Sequence, residues 1–257
     1  MKIGVISIFP KMFDSIIKFG ITKRAIKKKK IDIKIWNPIH FCKGAFHSID
    51  DRPYGGGSGM VMKANPIRKA ILEAKKIIGR KTKVFFLSPQ GKKVDQKEIE
   101  KFLKYKKVIF LCGRYRGIDE RIIDTEVYKE ISIGDYIISG GELAAMVVID
   151  AIIRIVPGVL GNHFSILEDS FYKNLLDYPQ YTRPKIFLGK KVPEVLLNGN
   201  HKKIKDWKLQ ESLKKTFFKR PDLLKNKILD KKERNILENL KKKNTEYYEK
   251  YNRKNRK

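Results

Sequence analysis

Between Lys2 and about Arg154 the chain alternates short β-branched runs with stretches of helical periodicity. That alternation confines it to the α/β class, a parallel sheet covered by helices on both faces. The runs predicted as strands are Lys2–Phe9, Ile31–Trp36, Val84–Ser88 and Val108–Cys112. Asn65-Pro66 supplies a cap and a first-turn proline ahead of Ile67, Ile71 and Ala74, and Asp95 opens a second helix running to about Lys104. A third helix, Gly141–Arg154, is apolar on nearly every side, which predicts burial or a subunit contact. Beyond Pro157 strand signals fade, and helical periodicity returns in Asp169–Leu176, His201–Phe218 and Lys231–Tyr248. The expected organisation is an α/β domain over 1–160, a connector over 161–172 and a small basic helical domain over 173–257, with Asn252–Lys257 frayed.

Charge narrows the partners. The 257 residues carry 58 Lys+Arg against 28 Asp+Glu, a formal charge of +30. Such a field attracts nucleic acids and anionic membranes, although a lysine-rich background composition produces the same number without selection for phosphate. The excess is densest at the end, where residues 201–257 hold 21 Lys+Arg and 8 Asp+Glu. A membrane span is excluded, because the richest apolar segment, Leu143 to Leu160, is broken by Asp150, Arg154 and Pro157 and falls short of the ~20 apolar residues required. The amino terminus lacks a small-residue cleavage site and reads as a strand rather than an export signal, so a cytoplasmic protein is expected. Cys42 and Cys112 are too few for a disulfide framework or a zinc site, and no metal is expected.

Four glycine-bearing segments carry the candidate chemistry. Tyr54-Gly-Gly-Gly-Ser-Gly59 is neither a P-loop nor a dinucleotide fingerprint nor a nucleophile elbow, since Met60 stands where the last two need glycine. The others follow apolar strands: Leu87-Ser-Pro-Gln-Gly91, Cys112-Gly-Arg-Tyr-Arg-Gly117 and Ile133-Gly-Asp-Tyr-Ile-Ile-Ser-Gly-Gly-Glu142. In a parallel sheet these converge at the carboxyl edge, where ligands bind, and each by itself equally suits an ordinary turn.

Together with Asp51-Arg-Pro-Tyr-Gly-Gly-Gly57, Gly117-Ile-Asp-Glu-Arg121, Glu168-Asp-Ser-Phe171, Tyr181-Thr-Arg-Pro184 and Gly199-Asn-His201, these segments are ordered and spaced in a way that resembles bacterial tRNA (guanine-N1)-methyltransferase, the TrmD family, from Lys2 to about Leu224. The resemblance implies a SPOUT-type parallel sheet with a deep trefoil knot, an obligate homodimer with active sites at the subunit interface, and methylation of N1 of guanosine 37 in tRNA by S-adenosylmethionine. Threading a chain end through a loop is rare. The cofactor would lie against Phe86, Leu87, Ser88, Pro89, Gln90, Gly91, Gly113, Tyr115, Gly117, Ile133, Gly134, Tyr136, Ile137, Ile138, Gly140 and Gly141, met mainly by backbone groups.

N1 of guanine carries a proton, so its lone pair is blocked until a base removes it. Asp169 matches the family residue with that role; as a residue in its own right it reads as a helix cap. Arg154 matches an arginine at the target guanine, where a guanidinium would stabilise charge on O6, and it equally suits a helix C-terminus. Gly59, Asp177 and His201 resemble positions near the substrate, and Lys202 and Lys205, with Lys203, Lys208, Lys214 and Lys215, are expected to grip phosphates of the anticodon stem. One departure stands out: Arg116 replaces the glutamate that the family usually carries there and that is connected with its magnesium dependence. An arginine cannot ligate a cation, but it suits a cofactor carboxylate or a phosphate. Two rival readings remain at this point, a knotted methyltransferase acting on ribosomal RNA and a basic RNA-binding module without catalysis.

Overall fold

The structure, a computed structural model, describes residues 1–43, 48–160, 168–225 and 227–242. Contacts divide the chain into two compact units, Met1–His163 and Phe164–Lys257.

In the first unit five strands form one parallel sheet, in the order β2-β1-β6-β5-β7. The chain runs through β1 (Lys2–Ile6), the short helices α1 (Asp14–Ile17) and α2 (Gly20–Lys27), and β2 (Asp32–Trp36). A two-stranded hairpin follows, β3 (Asp50–Asp51) with β4 (Val61–Met62), and then α3 (Ala64–Ile78). Next come β5 (Lys83–Lys93), α4 (Gln96–Tyr105), β6 (Lys107–Cys112), α5 (Glu120–Glu126), β7 (Lys129–Ser132) and α6 (Gly141–Ile155). The central strand β6 is buried from Val108 to Cys112, as a strand covered on both faces must be. Beneath one face Ile67, Ile71 and Ala74 of α3 pack with Ile6, Val84, Phe86, Ile109 and Leu111. Both cysteines are buried and free, and burial pushes the Cys112 thiol well above its ordinary value, which suits a packing role.

The four predicted strands and three predicted helices of this unit are present, with differences that matter. β1 ends at Ile6 rather than Phe9, where Ser7 turns its hydroxyl inward to Glu142. The Ser88–Gly91 segment, expected to follow a strand, lies inside β5 as a bulge: Leu87 and Lys92 both face Ile131 of β7, so the residues between them leave the ladder. Gly91 is the tight point, because a Cβ there would collide with the backbone of Ile131. Helix α6 is buried along most of its circumference but exposes one stripe, Leu143, Val147, Asp150 and Arg154.

The second unit contains the hairpin β8 (Ile186–Phe187) with β9 (Lys190–Lys191), then α7 (His201–Lys219), α8 (Pro221–Lys225) and α9 (Lys231–Lys242). Leu175, Leu213 and Leu237 form its core, with Leu209, Phe217, Leu224 and Ile236 packed around them. The helix expected over Asp169–Leu176 is not formed. A single 3-10 turn occupies Tyr172–Asn174, because Phe171, Lys173 and Asn174 all adopt left-handed φ values of 73°, 57° and 55°. Most of the expected connector (161–167) and the expected frayed end lie outside the described residues.

Candidate functional site

The bulge of β5, the loop after β6 and the loop after β7 meet at the carboxyl edge of the sheet and enclose a cavity of about 310 Å³. Ligand pockets span roughly 300–1,000 Å³. Its wall is built from Phe86–Gln90, Gly113–Ile118 and Ile131–Gly134 together with Tyr136–Gly141. Every residue named above as cofactor-binding lines this cavity except Gly91, which is occupied in the close approach of β5 to β7. Sequence reasoning missed Arg114, Glu120, Glu130 and Ala144, which line it as well.

A buried polar network fixes the wall. Glu142, at 0% exposure, accepts from the Ser7 hydroxyl at 2.7 Å through Oε1 and from Arg114 Nε at 2.8 Å through Oε2. Arg114 also donates from Nη1 to the Ser139 carbonyl at 3.2 Å and lies over the Phe9 ring. Charge inside low dielectric is stable only when paired and hydrogen-bonded, and here one pair ties the end of β1, the loop after β6 and the start of α6 together. The signal present in the sequence was Glu142 in the first turn of a helix whose other charged residues are Asp150 and Arg154.

Arg116 extends from the same wall to the glycine-rich segment between β3 and β4. Its Nη1 donates to the Ser58 carbonyl at 2.8 Å and its backbone N–H donates to Met60 at 3.0 Å. Gly59, expected near the substrate, lies against the Arg116 stem instead of lining the cavity.

Arg154 is exposed in the last turn of α6. In the second unit Asp169 is exposed too, just ahead of the 3-10 turn over Tyr172–Asn174, whose Tyr172 N–H donates to the Asp169 carbonyl at 3.3 Å. Its neighbour Glu168 accepts from the Tyr178 hydroxyl at 2.6 Å and from Lys208 at 3.2 Å, and that phenolic hydrogen bond, followed by Lys208, holds its carboxyl below the ordinary range. Ser170 Oγ accepts from the Asp177 N–H at 2.9 Å, and Thr216 Oγ1 accepts from the Leu176 N–H at 2.8 Å, so the turn is pinned to α7. Asp177 Oδ2 accepts from Gln180 at 3.3 Å, while its buried Oδ1 has no hydrogen-bond partner among the described residues. His201, Lys202 and Lys205 are exposed on the first turns of α7, which Asn200 caps by accepting from the Lys203 N–H at 3.1 Å. No helix among the described residues is long and apolar enough to cross a membrane.

A family model described as tRNA (Guanine-1)-methyltransferase TrmD matches residues 1–226. Curated proteins named tRNA (guanine-N(1)-)-methyltransferase are similar over nearly the whole chain. That of Buchnera aphidicola subsp. Schizaphis graminum is 57% identical over 238 residues, 93% of this chain and 90% of the relative. That of Blochmanniella pennsylvanica is 53% identical over 258 residues and covers 100% of both chains. In Pasteurella multocida the identity is 49% over 241 residues, 94% of this chain and 98% of the relative.

Proposed function

Because the chain belongs to the tRNA (guanine-1)-methyltransferase TrmD family and methylates N1 of guanine in tRNA, we propose that its target is guanosine 37 and its donor S-adenosylmethionine, bound in the cavity between the β5 bulge and the loops after β6 and β7. The observation that carries this reading is the convergence of those three segments on one cavity of about 310 Å³, where Leu87, Ile118, Ile133, Ile137 and Ile138 stand among glycines and polar residues, which suits a ligand with a flat purine and a polar end. When bound, the donor supplies a methyl group on a cationic sulfonium.

The chain's residues do the rest. The carboxylate of Asp169 takes the N1 proton as the methyl group arrives, so the lone pair that was blocked becomes the nucleophile. Arg154 offers its guanidinium to O6, where negative charge gathers as N1 loses its proton. Guanosine 37 leaves its stack to reach the donor, and Lys202 and Lys205 neutralise phosphates without reading sequence.

The fold reading is a SPOUT-type trefoil knot. Its support is local crowding of the chain on itself: a Cβ on Gly141 would stand 2.8 Å from the Cα of Cys112, and the Gly141 N–H donates to the Gly113 carbonyl at 2.9 Å. The assembly is a homodimer with active sites at the subunit interface, supported by the apolar stripe of α6, where Leu143 is 50% and Val147 55% exposed beside Arg154. The basic helical part over 173–257 binds the tRNA, and the enzyme works in the cytoplasm where tRNA is.

The test uses labelled S-adenosylmethionine with a transcript tRNA bearing G36–G37 and, separately, ribosomal RNA. Label at N1 of guanosine 37 is expected, and label confined to ribosomal RNA overturns the reading. Asp169→Asn should lower single-turnover methylation by about 10²–10⁴ while sparing donor binding; retained activity removes Asp169 as the base.

A further inference from the structure

Two arginines line the cavity, and only one is fully committed. Arg114 spends its guanidinium on Glu142 and Ser139 and its face on Phe9. Arg116 uses Nη1 alone, for the Ser58 carbonyl at 2.8 Å; its Nε and Nη2 donate to no described group. Its stem passes over Gly59, where an added Cβ would stand 2.8 Å from Cγ and 2.9 Å from Cδ. A long side chain with one edge tethered has lost part of its rotamer freedom, so the other edge meets a ligand at a reduced entropic cost.

Glu120 lines the same cavity at the first turn of α5 and has no ion-pair partner among the described residues. Its neighbour Arg121 is taken up by Asp119, with Nε and Nη2 at 2.8 and 2.7 Å from the two carboxylate oxygens. Among the described residues the cavity therefore presents one arginine with donors to spare, Arg116, and two carboxylates without an ion pair, Glu120 four residues further on and Glu130 in β7. A phosphate would satisfy Arg116 but be repelled by Glu120, and a simple amine would do the reverse. A zwitterionic α-amino acid satisfies both.

We propose that Arg116 and Glu120 recognise the α-amino-acid end of the methyl donor, Arg116 taking its carboxylate while holding the glycine-rich segment around Ser58 against the cavity mouth, and Glu120 taking its ammonium. This rests on the donor assignment made above. It makes Arg116 a specificity residue, and it couples donor binding to the order of the Tyr54–Met60 segment through one guanidinium.

Calorimetric titration of S-adenosylhomocysteine against 5′-methylthioadenosine, which lacks the amino-acid end, tests it on the full-length protein. The wild type should prefer S-adenosylhomocysteine by about 10- to 100-fold, the worth of a charged hydrogen-bond set. Arg116→Ala and Glu120→Gln should each erase most of that preference while 5′-methylthioadenosine binds within about twofold of wild type, which also certifies an intact pocket; Arg116→Lys should restore part of it. An unchanged preference in Arg116→Ala overturns the inference alone. Failure of the wild type to bind either nucleoside overturns the donor assignment and this inference with it.

Discussion

Replacing Glu142 by alanine should unravel the wall of the cavity before it touches any ligand group. Its carboxylate is at 0% exposure and accepts two charge-assisted hydrogen bonds, from Ser7 at 2.7 Å and Arg114 at 2.8 Å. Removing one partner of a buried pair costs about 3–5 kcal/mol. Arg114 keeps 17% side-chain exposure and can turn toward water, which places the cost near the lower end, about 3 kcal/mol. At about 2–4 °C per kcal/mol for a protein of this size, the melting temperature should fall by about 6–12 °C. Donor affinity should fall as well, by about tenfold, because Arg114 no longer holds the Ser139 carbonyl that precedes α6. Glu142→Gln should recover little: it keeps an acceptor for Ser7 but turns an N–H toward the Arg114 guanidinium. Calorimetry on Arg114→Ala, Glu142→Ala and the double variant should give a coupling of about 2 kcal/mol. A Glu142→Ala protein melting within about 2 °C of wild type, with unchanged donor affinity, would refute the view that this pair organises the cavity.

Two further outcomes are expected. Reversing the charge at exposed Lys202 and Lys205 should weaken tRNA binding about equally across sequences and flatten the dependence of affinity on salt, measured by filter binding over a salt series; an unchanged slope puts the phosphate footprint elsewhere. Glu98 accepts from Lys101 at 2.7 Å, Lys92 at 3.1 Å and Lys129 at 3.3 Å, and these hydrogen bonds, that of Lys101 first, hold its carboxyl at about 2 against an ordinary 4.5. A depressed carboxylate contributes its stability in full above the unfolded value, so the advantage of wild type over Glu98→Gln should be complete above 4.5 and vanish as pH falls toward 2. Melting curves of the two proteins that run parallel across that window would contradict the sign.

The sheet was legible because its strands are buried on both faces and therefore read as unbroken apolar runs, as Val108–Cys112 does. β7 was expected ahead of Ile133 but without bounds, because Lys129-Glu-Ile-Ser132 is a short edge strand with only Ile131 and Ser132 buried, which leaves little run to see. The helix expected over Asp169–Leu176 failed for a different reason. Its apolar spacing is real, and Leu175 does enter the core of the second unit, but it arrives there from a left-handed turn pinned by Thr216 and Ser170. Spacing records which residues are buried, and the two local conformations deliver the same burial.

The glycines divide along the same line. Expecting glycine where a backbone meets a ligand is sound, yet the chain also meets itself, and the sequence does not say which contact a given glycine serves. Gly91 serves strand contact at Ile131, and Gly59 makes room for the stem of Arg116. In both places the missing Cβ acts one step away from the cavity, by letting the bulge of β5 and the guanidinium of Arg116 take the positions from which they line it. Substituting either glycine should therefore damage donor binding through displaced neighbours rather than through a blocked pocket. At Gly59, where the neighbour is a side chain, trimming it repairs part of the defect, the strain of an alanine at φ +86° remaining: a Gly59→Ala protein should regain some affinity for 5′-methylthioadenosine when Arg116 is shortened to alanine, whereas a directly obstructed pocket would stay closed.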